Sequence, residues 1–136
     1  TKIDSHFKTP LVNNKFSKLI EKDFKAFKNK KSIMAMTSHI IYKDLDKINT
    51  ATHSKIVIKM IRDKIKFKNI IITDDISMKA LKTDLKKSVI KSFTAGCNLV
   101  LHCNGSMREM NIVAKNSPLL SNFIIKKTSQ FYKILS

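Results

Sequence analysis

Apolar positions along the chain alternate between helical and strand periods. Phe16, Leu19, Ile20, Phe24 and Phe27 recur at helical spacing opposite Lys18, Lys22 and Lys25, which predicts an amphipathic helix. The short apolar run Ser32 to Thr37 has strand length. Ser54 can cap a helix that sets Val57, Met60, Ile61 and Ile65 on one face. The run Asn69 to Thr73, β-branched and apolar on both faces, predicts a second strand. Asp84 can cap the next helix, with Leu85, Val89 and Phe93 inward and Gly96 ending it in the left-handed conformation. Residues 98–101 form a third strand. Met107, Met110, Val113 and Ala114 line one further helix as core filler. Ser117-Pro118 opens another, carried by Leu120, Phe123, Ile124, Phe131 and Ile134.

Strands apolar on both faces, separated by helices, predict parallel β-α-β units and the α/β class. In such sheets ligands bind beyond the carboxyl ends of the strands. Thr37-Ser38-His39, Thr73-Asp74-Asp75 and His102-Cys103-Asn104 stand at the three exits, so one polar, ionisable edge is expected. A carboxylate there can be a nucleophile, a metal ligand or a general base, and Asp75 reads first as the cap of the following turn. Asp4-Ser5-His6 sets a carboxylate and an imidazole two residues apart, a spacing that lets the acid orient the ring. His39, His102 and Asp74 could in principle hold a metal, but no His pair has ligand spacing, so hydrogen-bonding roles are expected instead. His53, beside a helix cap, reads as solvent-facing.

The 136 residues allow one domain and fall short of the roughly 250 of a closed (β/α)8 barrel. The net charge of +17 raises a nucleic-acid reading. However, Lys supplies 25 of the 27 basic residues, Arg only 2, and the Phe residues sit at core positions instead of interleaving with Lys. With 19 Ile and 10 Asn, the lysines read as an AT-rich codon bias and a solvated surface, and no specific nucleic-acid partner is expected. No apolar run reaches membrane-span length, and Cys97 and Cys103, roughly 20 Å apart along an extended strand, read as reduced thiols in a cytoplasmic protein. Thr1 opens neither on Met nor on a signal pattern, so the sequence reads as starting inside a longer protein.

The ordered set Asp4-Ser5-His6, Pro10, residues 33–39, Ala51-Thr52, Phe67, residues 72–78 and residues 95–105 resembles family 3 glycoside hydrolases. The likeness is to the bacterial β-N-acetylglucosaminidases of peptidoglycan recycling and runs from residue 2 to about residue 122. It implies that residues 1–136 are the C-terminal portion of a (β/α)8 barrel, from the loop after strand five onward, with three parallel strands and flanking helices. It implies that Asp74 is the nucleophile, His6 the general acid/base and Asp4 its orienting partner. Asp75 and His39 become supporting positions at the site edge, with His39 a candidate substrate contact. A retaining double displacement on an N-acetylglucosamine residue of a muropeptide follows, with no cofactor or metal. Lys66 and Asn69 stand where the family usually has glycines, which costs stability wherever a tight turn is needed. The earlier strands that grip the sugar lie upstream, so the chain alone is expected to be inactive or very weakly active, leaving room for a separate upstream barrel half. The alternatives are a non-catalytic remnant of a truncated or split gene and a basic nucleic-acid binder.

Overall fold

The structure, a computed structural model, describes residues 8–28 and 31–135, with side chains through Gln130. Three strands, β2 (Met34–Met36), β4 (Ile70–Asp75) and β5 (Leu99–Leu101), form a parallel sheet in the order β2-β4-β5. Helix α2 (Lys55–Asp63) connects the first pair and α3 (Leu85–Ala95) the second, the layered α/β arrangement that a parallel sheet requires. Helices α4 (Met107–Asn116) and α5 (Asn122–Leu135) follow β5. A second parallel pair, β1 (Leu11–Val12) with β3 (Ile41–Tyr42), was not legible as strands, because two-residue strands carry no period.

Local chemistry sets several boundaries. The Val57 N–H donates to Ser54 Oγ at 3.2 Å, and the Lys87 N–H donates to Asp84 Oδ1 at 2.9 Å, the two N-caps expected of these residues. Gly96 ends α3 at φ 109°, where any side chain would also press on Ile58. Strand β4 continues through Asp74 and Asp75, two residues beyond the apolar run.

The first helical segment, α1, departs from a regular helix. It runs as Phe16–Lys18 in α geometry, Leu19–Asp23 in π geometry and Phe24–Phe27 as a 3-10 turn. Leu19 and Phe24 are five residues apart and would diverge on an α-helix; the π turn brings both into the core while Phe27 remains 60% exposed. Phe24 then meets the Tyr42 ring edge-on at 5.4 Å.

The main core joins α1, α2, the Ile71 face of β4 and the end of α3, while a smaller cluster of Ile76, Leu81 and Val89 lies with Val100 and Val113 under α3 and α4. The methionines do not behave uniformly as core filler. Met60 is buried, but Met107 and Met110 on α4 and Met36 on β2 are exposed. Helix α5 begins at Asn122, not at Ser117-Pro118. Ser117 Oγ donates back to the Val113 carbonyl, Pro118 cannot continue α4, and Ser121 Oγ accepts from the Ile124 N–H at 3.3 Å. Of its expected core face Ile124 is buried, whereas Leu120 and Phe123 are exposed; Phe131 and Ile134 lie beyond the described side chains.

Among the described residues β2 pairs on one side only, with β4. Beside its other edge lies an apolar cavity of about 460 Å³ lined by Phe24, Phe27, Met34, Met36, Tyr42 and Ile61. The Tyr42 phenol is the titratable side chain among the described residues that line it.

Lys66 adopts φ 63°, the left-handed region that favours glycine, so a lysine here carries a conformational cost. Asn69 is different. Its Nδ2 donates to the Ser32 carbonyl at 2.7 Å and its Oδ1 accepts from Lys127 Nζ at 2.7 Å, tying α5 to the entry of β4 through bonds a glycine could not make.

Candidate active site

The parallel sheet brings the carboxyl ends of its three strands to one edge, as the spacing of polar residues predicts. The pairing of β4 with β5 is irregular there. Ile72 faces Leu99 and Asp75 faces Leu101, so three steps on β4 match two on β5 and an extra residue falls at Thr73–Asp74. Such a bulge interrupts the strict alternation of side chains and re-aims those beside it. Thr73 Oγ1 compensates the broken ladder by accepting the Leu101 N–H at 2.9 Å.

Asp74 sits on this bulge. Its Oδ1 accepts the Asp75 N–H at 2.8 Å, while no described residue donates to its Oδ2. One carboxylate oxygen is therefore fixed by the backbone of the next residue. Asp75 does the capping work expected of it. Its Oδ1 accepts the Ser77 N–H at 3.0 Å and the Cys103 N–H at 3.2 Å, and Ser77 Oγ donates to the same carboxylate. Partial burial pushes the Asp75 carboxyl up, but the hydrogen bonds from Ser77 and Cys103 and the nearby His102 imidazole outweigh it and hold it below the usual carboxylate range.

His39 is 1% exposed and both ring nitrogens are engaged. Nε2 lies 2.8 Å from the Asp75 carbonyl, which can only accept, so Nε2 carries the hydrogen. Nδ1 lies 2.9 Å from Thr52 Oγ1, which lies 2.9 Å from Thr37 Oγ1 and donates to the Ser38 carbonyl at 3.2 Å. His39 thus links Thr52 to the turn at Asp75. Thr52, fully buried, is the residue this chain of bonds depends on, and sequence reasoning gave it no role.

Among the described residues no group of three or more His, Cys, Asp or Glu side chains is placed to hold a metal ion. His102 Nε2 pairs with Glu109 Oε2 at 2.8 Å, on α4. Glu109 was missed, although Ser106-x-x-Glu109 at the start of α4 has the capping-box spacing that points to it. The carboxyl of Glu109 is held low by the hydrogen bonds from His102 and Asn104. His53 is not solvent-facing. Burial, with His39 and Lys91 nearby, lowers its pKa to about 4, and Nε2 lies 3.2 Å from Ser88 Oγ on α3. Asp4 and His6 lie outside the described residues. Three residues beyond His6, the Thr9 hydroxyl donates to the Ala80 carbonyl in the loop that follows β4.

The sequence matches the family model described as "Glycosyl hydrolase family 3 N terminal domain" over residues 1–128. A β-hexosaminidase of Psychromonas ingrahamii is 28% identical over 138 aligned residues, covering 96% of this chain and 39% of that protein. CbsA of Thermotoga neapolitana superposes with a TM-score of 0.82 at 25% identity, covering all of this chain and 35% of that one. The β-N-acetylglucosaminidase of Thermotoga maritima superposes with a TM-score of 0.69 at 27% identity, covering 84% and 26%. The chain thus spans between about a quarter and two fifths of the length of these relatives. Among the described residues no helix is long and apolar enough to cross a membrane.

Proposed function

The chain belongs to glycosyl hydrolase family 3, and we propose that it carries the nucleophile and the proton-transfer dyad of a retaining β-N-acetylglucosaminidase. The observation that carries this reading is Asp74, at the carboxyl end of a parallel strand, with one oxygen fixed by the Asp75 N–H and the other without a described donor. Asp74 attacks the anomeric carbon of a terminal N-acetylglucosamine residue while His6, oriented by Asp4, protonates the departing glycosidic oxygen. His6, now neutral, takes a proton from water; the water oxygen attacks the anomeric carbon and the bond to Asp74 breaks. Two inversions give net retention. An imidazole, ordinarily titrating near neutrality, can serve in both directions. The bond from Thr9 to Ala80 supports the pairing, since it ties the chain just after His6 to the loop that follows Asp74. His39 and Asp75 act through the turn and not on the sugar.

The substrate is a carbohydrate bearing N-acetylglucosamine, and the muropeptides of peptidoglycan recycling in a bacterial cytoplasm fit the family resemblance. In this reading residues 1–136 are the last sector of the barrel, and the sugar pocket needs the units that precede it, on the same polypeptide or another. The purified chain should be assayed with a chromogenic N-acetylglucosaminide, alone and mixed with the separately expressed part of the Psychromonas hexosaminidase that precedes its matched segment. The expected result is negligible turnover alone, turnover in the mixture, and a loss of at least about a thousandfold with Asp74→Ala. Turnover in the mixture that survives Asp74→Ala would overturn the nucleophile assignment.

A further inference from the structure

One polar atom at the exit of β5 is left over by the site just described. The His102 side chain is 6% exposed, and its Nδ1 is buried with no hydrogen-bond partner among the described residues. Two residues earlier Val100 packs with the cluster beneath α3 and α4, and the period of a strand places His102 on that same outer side. An apolar side chain would sit there without leaving an acceptor unpaired, a cost that native cores avoid. Departures from such local rules concentrate where function requires them.

The bonds around His102 indicate what it does. Glu109, in the first turn of α4, has its N–H accepted by Ser106 Oγ at 3.4 Å. Its carboxylate does not return to the Ser106 N–H, which Asn104 Oδ1 takes at 2.9 Å. It reaches instead to His102 Nε2, and Asn104 Nδ2 donates to the same oxygen. On either side of His102 the backbone clasps the turn after Asp74. The Leu101 carbonyl accepts the Ile76 N–H at 2.9 Å, and the Cys103 N–H donates to Asp75 Oδ1.

We propose that His102 is a positioning residue: clamped by Glu109, it holds the exit of β5 in the register that delivers the Cys103 amide to Asp75, and so fixes the turn that carries Asp74. The anchor itself stands on these contacts, while its meaning for catalysis rests on Asp74 being the nucleophile.

The test is amide hydrogen exchange by NMR on the full chain, comparing Cys103 with the remote Ile71 amide, which donates to Asn98 Oδ1. His102→Leu removes both ring nitrogens; His102→Gln returns an N–H at the reach of Nε2. The expected result is exchange at Cys103 about tenfold faster in His102→Leu, unchanged at Ile71, and restored by His102→Gln, with the melting temperature of His102→Leu equal to or above wild type. Unchanged exchange at Cys103, or equal acceleration at both amides, would overturn the proposal in favour of a plain packing role. In the complemented assembly His102→Leu should lower kcat about tenfold with KM held, and His102→Gln should recover it. A wild-type assembly without turnover would count against the glycosidase reading alone, because the exchange measurement needs no activity.

Discussion

Asp75→Ala tests whether the turn beneath Asp74 is built as described. The carboxylate takes the Ser77 N–H, the Ser77 hydroxyl and the Cys103 N–H. Hydrogen bonds to a charged acceptor contribute roughly 1.5–3 kcal/mol where water is excluded, and partial exposure lets solvent replace much of this. The three donors together should cost about 2 kcal/mol on truncation, or about 6 °C in melting temperature for a chain of this size. Asp75→Asn keeps one acceptor oxygen and loses the charge, so it should cost about half as much. Because the folded carboxyl is held below its ordinary value, its contribution is present above the unfolded pKa near 4 and is lost as pH falls through the folded value. Urea unfolding followed by circular dichroism at pH 7 and at about pH 2.5 measures both effects. Equal stability of wild type and Asp75→Ala at pH 7, or a gap that persists unchanged at about pH 2.5, would refute the reasoning.

Opposite signs are expected for glycine at Lys66 and at Asn69. Lys66→Gly should stabilise by about 0.5–1 kcal/mol by relieving φ 63°, and Asn69→Gly should destabilise by about 2 kcal/mol by severing Ser32 and Lys127, both read from urea midpoints. His53, with its folded pKa near 4 against an unfolded value near 6.5, leaves the unfolded state binding more protons between these values. Stability should therefore fall as pH drops from about 6.5 toward 4, and His53→Gln should flatten that slope in thermal melts. The two thiols should separate cleanly in alkylation. Cys97 is buried, which pushes its pKa up to about 12 against the opposing charge of Arg62, so it should react only after denaturation, while exposed Cys103 reacts in the native chain.

Several elements were legible because their causes are local. Ser54 and Asp84 cap the helices they precede, Gly96 ends α3, and the β-branched run into Asp74 forms the central strand. Each depends on bonds within a few residues, and the residue type announces them. Where longer contacts compete, the pattern misleads. The apolar face of α1 requires a π turn to bring Leu19 and Phe24 together, Met107 and Met110 remain uncovered, and His53 is drawn against Ser88 of α3.

The site divides in the same way. Sequence by itself determines that Asp74 lies at the carboxyl end of a buried parallel strand, that Asp75 caps the turn beyond it, and that polar residues meet at one edge. Tertiary structure alone decides how Asp74 is aimed and what holds it. The bulge at Thr73–Asp74 exists only in the register between β4 and β5, His39 finds Asp75 only because β2 lies beside β4, and His102 meets Glu109 only when α4 folds back on β5. A hydrogen bond's geometry is set within about 3 Å, a distance that residue spacing fixes inside one turn or strand but not between elements that the fold must first bring side by side.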